Sequence, residues 1–359
     1  MSSVFGNRIK VSVFGQSHSK GIGVTVDGIP AGEKIDFDEL QRFLDRRAPG
    51  KNKFSTSRKE GDRPEFLSGV VGDTTCGAPL SAVIYNTNAH SNDYNNIVDC
   101  PRPGHADFTA QMKYKGFQDV SGGGHFSGRL TAPLCIAGGI AKQILAKKDI
   151  KIYAHISSIN NINDDTFDKV SPDENVLSSI ASKEFPVIND NQGKLMMDKI
   201  EQARLDLNSV GGTIECVVTG LEAGIGNPMF DGVENKISSA VFGVPAVKGI
   251  EFGNGFACSL LTGEQNNDEF YYDNDKVKTK TNNHGGILGG ITSGMPLYFK
   301  VALKPTPSIA KEQNSISFSQ KCDEKLVIKG RHDPCVVPRA VPCIEAVTAL
   351  AIYDLILEN

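Results

Sequence analysis

The sequence predicts an α+β fold, and three observations support this. The chain has 359 residues, of which 39% are hydrophobic and 22% charged, so it can bury a sizeable core and is not a disordered or low-complexity protein. Short segments that alternate apolar and polar residues, as half-buried strands do, occur along the whole chain. Helical segments lie between them, but not in the regular strand-then-helix order of a parallel α/β fold.

The individual elements follow in chain order. Strands are predicted at residues 9–14, 23–27, 82–85, 151–155, 213–219, 246–252 and 297–303. Asp36 and Glu39 form a capping box that predicts the start of a helix, which continues through Leu40, Phe43 and Leu44. Further helices are predicted at residues 130–147, 195–207, 231–242 and 343–357.

The chain shows no clean linker and no obvious repeat, which predicts a single domain spanning residues 1–359. Three stretches are rich in Asn, Asp and Ser rather than in apolar residues. We interpret them as polar surface insertions in that domain, at residues 86–96, 160–175 and 264–283.

Charge and composition exclude several classes of protein. The net charge of −4 argues against a general nucleic-acid-binding protein, which needs excess Lys and Arg. No apolar run is expected to span a bilayer and the N-terminal residues do not resemble a secretory signal, so we predict a cytoplasmic protein without membrane contact. Eight cysteines without a C-x-x-C pair predict free thiols, and neither a disulfide framework nor a metal site.

The common nucleotide and metalloprotease signatures are absent from the sequence. No strand leads into G-x-G-x-x-G, and neither G-x-x-x-x-G-K-[ST] nor H-E-x-x-H occurs. Residues 17–20, SHSK, fit S-x-x-K, and residues 15–19 approach a nucleophile elbow that lacks its last glycine. Such short matches arise by chance, so a serine hydrolase is not the favoured interpretation.

Two segments in the first 63 residues carry polar or charged side chains beside glycine. In residues 15–32, GQSHSKGIGVTVDGIPAG, Ser17 and His18 follow a predicted strand, although a histidine there can also be a solvated turn residue. Residues 46–63, RRAPGKNKFSTSRKEGDR, hold seven Lys and Arg against Glu60 and Asp62, a local charge of +5. These residues could neutralise a helix C-terminus, form a solvated face, or grip a phosphate or carboxylate.

Three later segments are stiffened by proline or opened by glycine around charged groups. Residues 102–107, RPGHAD, hold His105 rigidly beside Asp107, which suits a proton carrier as well as a turn histidine. Residues 119–129, DVSGGGHFSGR, place bare backbone N–H groups and Arg129 before a helix, which suits a phosphate or a cofactor edge. Residues 282–294, 304–308 and 330–342 form glycine-rich and proline-rich loops around Asp333 and Arg339. Together these segments favour an enzyme that acts on a polyanion.

Taken together, the segments resemble the chorismate synthase family along nearly the whole chain. The motifs that carry the resemblance are GQSHS with DGIPAG, DRRAPG, RPGHAD, GGGHFSGR, GGILGGITSG, KPTPS and RHDPCVVPRAVP. Departures from the family pattern are Gln16 for Glu, Lys53 for Arg, Gly128 for Ala, and His125-Phe126-Ser127 for Arg-Ser-Ser. These departures lie at the expected flavin and substrate walls.

The resemblance implies a fold and a reaction. The fold would be a sandwich of helices between antiparallel β-sheets, assembled as a homotetramer. The reaction would be the 1,4-trans elimination of phosphate from 5-enolpyruvylshikimate 3-phosphate, which gives chorismate in the last step of the shikimate pathway. It is a carbon–oxygen lyase reaction of aromatic amino acid biosynthesis that requires reduced FMN.

The resemblance also implies roles for residues of this chain. The catalytic groups would be His18 beside the substrate phosphate, His105 beside the flavin, and Asp333 as a proton acceptor. FMN would contact His125, Phe126, Ser127, Ala246, Gly289, Lys304, Pro305, Thr306, Pro307, Ser308 and Arg331. Substrate would contact Ser17, Arg46, Arg47, Lys53, Arg129 and Arg339.

Two alternatives and one question stay open at the level of sequence. Another flavin enzyme with a redox substrate would use the same loops, as would a non-catalytic anion-binding protein. The sequence does not decide whether NADPH reduces the flavin on this protein or an external flavin reductase supplies it.

Overall fold

The computed structural model describes residues 3–50, 61–86, 98–328 and 332–359. Numbered in chain order, its helices are α1 Phe37–Arg47, α2 Asp107–Tyr114, α3 Thr131–Ala146, α4 Glu174–Ser182, α5 Asp190–Leu205, α6 Val233–Phe242, α7 Gly263–Asn266 and α8 Val337–Glu358. Its strands in the first half are β1 Val4–Phe5, β2 Lys10–Gly15, β3 Gly21–Asp27, β4 Glu65–Ser68, β5 Val70–Val71, β6 Thr74–Thr75, β7 Leu80–Tyr85, β8 Lys151–Ile159 and β9 Ile162–Asn163. The later strands are β10 Gly212–Thr219, β11 Ala223–Gly226, β12 Val247–Phe252, β13 Phe270–Asp273, β14 Lys276–Thr279, β15 Ile287–Leu288, β16 Ile291–Ser293, β17 Leu297–Leu303, β18 Gln313–Ser317 and β19 Cys322–Leu326.

Two five-stranded antiparallel sheets enclose a layer of helices. The first sheet has the order β1-β2-β3-β7-β4 and the second the order β12-β17-β10-β8-β9. Helix α3 packs on β3 and β7 of the first sheet and on β8 of the second, while α8 packs on α3, β8 and β10. The predicted α+β sandwich of helices between antiparallel sheets is therefore confirmed.

The helices of the middle layer are apolar on nearly all sides, as their position requires. In α3 the only residues that are not buried are Leu134, Lys142, Gln143 and Ala146. A single cluster of buried hydrophobic residues includes Val24 of the first sheet, Ile140 of α3, Ile352 of α8 and Phe299 of the second sheet. The hydrophobic effect thus fixes both sheets to the same pair of helices.

The predicted strands are all present, but two helix boundaries were wrong. Helix α5 begins at Asp190 rather than at 195, because Asn189 caps it by accepting a hydrogen bond from Asn191 N. Helix α8 begins at Val337 rather than at 343, because Pro338 lies in its first turn, where its missing N–H costs nothing, and the helix continues through Pro342.

The predicted capping box at the start of α1 is formed only in part. The Asp36 carboxylate accepts a hydrogen bond from Glu39 N at 2.8 Å. The Asp36 N–H, however, donates to Gln143 Oε1 of α3 at 2.9 Å rather than to Glu39. The start of α1 is therefore held by a contact between helices as well as by a local cap.

Two of the three predicted insertions contain regular structure. The stretch 264–283 holds the hairpin of β13 and β14, and the stretch 160–175 reaches from β9 into the first turn of α4. The stretch 86–96 lies outside the described residues except for Asn86.

The expectation that no segment is long and apolar enough to cross a bilayer was wrong for α8. This helix of 22 residues has a mean hydropathy of 1.8 in its most apolar window, which meets both criteria. Of that window 89% is buried inside the fold. Its apolar composition therefore corresponds to a core helix that packs on α3 and on strands β8 and β10 of the second sheet.

Candidate active site

A cavity opens where loops from both halves of the chain meet. It has a volume of about 530 Å³. Its walls come from the loop after β2, the start of α2, the glycine-rich turns before α3, the segment between α6 and β12, the loop after β17 and the start of α8. The cavity thus draws on the five segments that the sequence singled out.

Most of the predicted site residues line this cavity. They are Ser17, His18, Arg47, His105, His125, Phe126, Ser127, Arg129, Ala246, Lys304, Thr306, Pro307, Ser308, Asp333 and Arg339. Pro305, Gly289 and Arg46 do not line it, and their predicted contacts stay predictions. Lys53 and Arg331 lie outside the described residues.

Arg46 lies away from the cavity although Arg47 lines it. The Arg46 guanidinium donates to both oxygens of Glu345, at 2.9 and 2.7 Å, and Lys142 also bonds to this carboxylate. Burial would raise the pKa of Glu345, but Arg46 and Lys142 lower it to about 2. Arg46 therefore ties α1 to α8.

His18 is oriented by its neighbour Ser17. The Ser17 hydroxyl donates to Ser121 O at 3.1 Å and lies 3.0 Å from His18 Nδ1. Because the hydroxyl hydrogen is used on the carbonyl, the hydrogen-bond network assigns the hydrogen of the second bond to His18 Nδ1. Nε2 is then the nitrogen of His18 that can take up and release a proton.

His105 is oriented in the same way by Asp107 and Arg102. His105 Nδ1 lies 2.6 Å from Asp107 Oδ1, and Arg102 donates to both oxygens of Asp107 at 2.7 and 2.8 Å. Burial would raise the pKa of Asp107, but the hydrogen bonds from Arg102 and His105 hold it well below its usual value. Asp107 therefore stays a carboxylate and favours a hydrogen on Nδ1 of His105. Nε2 of His105 is then the nitrogen that can exchange a proton.

The glycine-rich turn between Ser121 and His125 lies against both histidines, and the approach of His18 requires a glycine at position 122. A Cβ on Gly122, whose φ is +70°, would lie 2.3 Å from the Cε1 atom of His18. A Cβ on Gly123 would lie 3.6 Å from His105 Nε2. His18 and His105 thus both lie next to the same short segment.

Asp62 joins the two arginines of the inner wall. Its Oδ2 accepts from Arg47 Nε at 2.7 Å and also from Arg47 Nη2, while its Oδ1 accepts from Arg129 Nη1. All three side chains are buried. Burial would raise the pKa of Asp62, but the two guanidinium groups lower it. Asp62 is thus a resident anion between two cations that face the cavity.

Asp333 and Arg339 form the wall at the start of α8. Arg339 Nη1 donates to Asp333 Oδ2 at 2.5 Å, and Arg339 Nε donates to Arg47 O at 3.0 Å. The side chains are 13% and 21% exposed, so the pair borders the cavity while retaining some access to water. Arg339 therefore fixes the Asp333 carboxylate relative to the end of α1.

The predicted flavin wall combines apolar surface, a cation and hydroxyl groups. Ala246 O accepts from Lys304 N at 2.9 Å, and Lys304 Nζ donates to Gly104 O. Among the described residues the buried Thr306 hydroxyl has no hydrogen-bond partner. His125, in contrast, uses both ring nitrogens within the protein, on Gly15 O and the Ser3 hydroxyl, each at 2.8 Å.

The charges of the site favour an anionic ligand. Arg47, Arg102, Arg129, Lys304 and Arg339 line the cavity, and the carboxylates bound to them are Asp62, Asp107 and Asp333. Five cations against three carboxylates leave a positive excess before any histidine is protonated. Such a site can hold a ligand with several negative charges and stabilise charge that develops on a leaving group.

Three residues found at this site had been given no role in the sequence analysis. Asp62 was counted only as an opposing charge in the basic segment, and Arg102 and His332 were quoted in motifs without a role. Asp107 was recognised as a neighbour that could orient His105. Arg47 carried a usable signal, because it lies seven residues after Leu40 and four after Phe43 and so shares the buried face of α1.

The chain is similar to known proteins along almost its whole length. A family model described as chorismate synthase matches residues 9–357. Curated relatives described as chorismate synthase include one from Lancefieldella parvula, 47% identical over 99% of this chain and 96% of the relative, and one from Thermococcus kodakarensis, 43% identical over 99% and 97%. A solved structure titled as a crystal structure of chorismate synthase matches with a TM-score of 0.78 at 25% identity, covering 98% of this chain and 93% of the other.

Proposed function

The chain belongs to the chorismate synthase family, and we propose that its cavity converts 5-enolpyruvylshikimate 3-phosphate to chorismate and phosphate. The observation that carries this proposal is the meeting of His18, His105 and the Arg47–Asp62–Arg129 cluster in one cavity with excess positive charge. The reaction is a 1,4-trans elimination without net redox change, which makes the protein a carbon–oxygen lyase.

The proposed substrate carries one phosphate and two carboxylates. Its negative charges match the cations Arg47, Arg129 and Arg339 on the inner wall, which attract both the phosphate and the carboxylates. As phosphate leaves, negative charge grows on its oxygens. Cations fixed in position before the reaction stabilise that charge more in the transition state than in the bound substrate.

The histidines are proposed to hold the protons of the reaction. A doubly protonated His18 donates through Nδ1 to Ser17, while its Nε2–H donates to an oxygen of the leaving phosphate. His105 keeps its Nδ1 hydrogen on Asp107 and holds or releases a proton at Nε2. Asp333, fixed by Arg339, is the carboxylate proposed to accept a proton on the other side of the cavity.

The residues present fit the proposed cofactor, reduced FMN, which supplies an electron-rich ring system when bound. Support comes from the buried Thr306 hydroxyl, which has no protein partner among the described residues, and from the adjacent Lys304 cation. Phe126, Ala246 and Pro307 provide apolar surface beside them. Lys304 would pair with the FMN phosphate, and Thr306 would donate to an oxygen of the cofactor.

Three further properties are proposed on the resemblance to the family. We expect a cytoplasmic enzyme of the shikimate pathway that assembles as a homotetramer. Reduction of the flavin by NADPH on this protein and delivery from an external flavin reductase are both compatible with the cavity. Flavin reduction measured with NADPH in the absence of any other protein distinguishes them.

The reaction is tested anaerobically with purified protein, FMN and 5-enolpyruvylshikimate 3-phosphate, with and without chemical reductant. Chorismate and phosphate are followed together. Equal release of both, only when the flavin is reduced, is the expected result. If the flavin binds but neither product appears, an oxidoreductase that uses the same cavity becomes the better proposal. If neither ligand binds, an elimination in this cavity is refuted.

Variants of the two histidines test their roles. We expect His18→Ala and His105→Ala each to lower turnover at least about tenfold, in the range for loss of a general acid or base, while FMN binding largely survives. His284→Ala is the matched control, because His284 pairs with Asp268 in a surface segment and does not line the cavity. Normal turnover in either cavity variant would remove that histidine from the proposed mechanism.

A further inference from the structure

Two cysteines from different helices meet behind the substrate side of the cavity. Cys135 lies on α3 and Cys343 on α8, and their sulfur atoms are 3.8 Å apart. Cys135 is completely buried, whereas Cys343 borders the cavity together with Arg47 and Arg339. Cys343 is 2% exposed, so of the two cysteines it is the one that a small molecule in the cavity would meet first.

The two helices are close enough for these sulfur atoms to bond. One turn further along, a Cβ placed on Gly138 would lie 2.4 Å from the Ala346 Cβ, so the α3 and α8 backbones nearly touch there. A disulfide needs an S–S distance of about 2.05 Å, so the two sulfurs must approach by less than 2 Å. Side-chain rotation supplies a movement of this size without separating the helices.

The surroundings of the pair favour a thiolate on Cys343. Cys135 Sγ donates toward Cys343 Sγ, and the cations Arg47 and Arg339 lie close, which together lower the pKa of Cys343 against the effect of burial. Burial raises the pKa of Cys135. The thiolate is the nucleophilic form of cysteine, so the sulfur that borders the cavity is also the more reactive one.

We propose that Cys135 and Cys343 form an oxidisable dithiol site on the cavity wall, which takes small two-electron oxidants of the peroxide class and closes to a disulfide between α3 and α8. The Cys343 thiolate attacks one oxygen of hydrogen peroxide, forming an S–O bond as the O–O bond breaks, and the released hydroxide becomes water on protonation. Cys135 then attacks the sulfur of this sulfenic acid, forming the S–S bond and breaking the S–O bond. The second hydroxide leaves with the Cys135 proton as water, so two thiols and one peroxide give one disulfide and two waters.

The other cysteines provide controls within the same chain. Cys335 is buried near the start of α8, and burial raises the pKa of its thiol to about 12. Cys216 is buried beside Thr348, and burial raises its pKa as well. Cys76, Cys258 and Cys322 are exposed and are best replaced by Ser before the test.

The experiment treats this Ser-substituted full-length protein with a few equivalents of hydrogen peroxide, blocks remaining thiols with N-ethylmaleimide and maps the peptides by mass spectrometry. We expect a linked peptide pair joining Cys135 to Cys343, lighter by two hydrogens than the sum of the two thiol peptides. Cys216 and Cys335 should remain thiols and be found alkylated by N-ethylmaleimide. Adding Cys135→Ala should abolish the link and leave a Cys343 sulfenic acid that dimedone traps. If Cys135 and Cys343 are oxidised no faster than Cys216 and Cys335, the proposal is overturned.

A second measurement covers the case in which the alanine variant folds poorly. Phenylarsine oxide bridges two neighbouring thiols, so the folded Ser-substituted protein should bind one equivalent and lose it to 2,3-dimercaptopropanol. Binding that appears only after the protein is unfolded in urea would contradict a preformed dithiol. Neither measurement needs flavin or substrate, so its outcome is independent of the proposed reaction.

Discussion

At the scale of single residues, Asp62 neutralises part of the positive charge of Arg47 and Arg129 on the cavity wall. The carboxylate lies between Arg47 and Arg129, and none of the three side chains is more than 7% exposed. Without the Asp62 carboxylate, the guanidinium groups of Arg47 and Arg129 would be buried side by side and would lose its neutralising charge. Asp62 therefore occupies a position where a bound anion could place one negative charge. It also fixes the orientation of the two guanidinium groups before a ligand binds.

This interpretation predicts the behaviour of Asp62→Asn. Removing one partner of a buried ion pair typically costs about 3–5 kcal/mol, so we expect the free energy of unfolding in phosphate-free buffer to fall by about that amount. Inorganic phosphate should then stabilise the variant more than the wild type, because its binding restores the missing negative charge. Urea unfolding with and without millimolar phosphate measures both effects.

Asp206→Asn is the matched control, since Asp206 is an exposed carboxylate after the end of α5. It should change neither the stability nor its dependence on phosphate. An Asp62→Asn variant with the same response to phosphate as the wild type would contradict the view that Asp62 occupies an anion position.

The residues of the site were predictable to different extents. Motifs with a histidine between prolines and glycines, such as the segment around His105, indicated rigid polar loops, and the structure brings these loops together. Arg46 and Arg47 were treated alike, yet neighbouring positions on a helix differ by about 100°. Helical phase places Arg47 with Leu40 and Phe43, whereas the bond from Arg46 to Glu345 joins residues 299 positions apart, which local pattern does not reveal.

At the scale of elements, the close packing of α3 on α8 depends on one glycine. A Cβ on Gly138 would lie 2.4 Å from both the Cβ and the carbonyl oxygen of Ala346, in the backbone of α8. A Cβ on the next residue, Gly139, would meet instead the side-chain ends of Leu40 and Phe43, at 2.6 and 3.1 Å. The first contact can be relieved only by moving a helix, the second by turning side chains.

The two glycines therefore form a matched pair of substitutions. Gly138→Ala and Gly139→Ala gain the same helix propensity, about 1 kcal/mol, so a difference between them reports packing alone. We expect Gly138→Ala to be the less stable variant by about 1–3 kcal/mol, as for overpacked cores. Chemical denaturation of both proteins measures this. Equal stability would mean that α3 and α8 can separate at little cost.

The elements were more predictable than their ends. Short apolar segments, several of them alternating with polar residues, predicted the seven strands, while β8 and β10 are buried almost along their whole length. The start of α8 was missed because residues 330–342 were interpreted as a proline-rich loop, although the chain is already helical from Val337. The pairing of β10 with both β8 and β17 follows from contacts between distant parts of the chain, which the sequence pattern of one strand does not specify.

At the scale of the whole molecule, a buried ionic cluster links the strands of the second sheet. His155 of β8 lies 3.0 Å from Asp164 through Nδ1 and 3.0 Å from Glu215 of β10 through Nε2. Tyr298 of β17 also donates to Glu215, and Lys300 lies 3.7 Å from it. An imidazole between two carboxylates can bond to both only when both of its nitrogens carry hydrogen, so the folded protein favours the imidazolium form.

This cluster makes stability depend on pH in a defined direction. Burial would lower the pKa of His155, but the hydrogen bonds with Asp164 and Glu215 raise it. The contribution of His155 is therefore complete below the unfolded value of about 6.5 and is lost as the pH rises through the higher folded pKa. The same bonds lower the pKa of Glu215 and Asp164 against burial, so their contribution is lost as the pH falls through the folded values.

His155→Gln tests this direction across the molecule. The difference in the free energy of unfolding between wild type and variant should be largest near pH 6. It should shrink as the pH rises through the folded pKa of His155, because the wild type then loses the imidazolium charge that the variant lacks at every pH. His284→Gln, in a partly exposed pair with Asp268, serves as the control. Urea unfolding from pH 6 to 9 gives the three curves. A constant difference between wild type and His155→Gln would mean that His155 acts through packing alone, and that the second sheet is held together without an imidazolium at its centre.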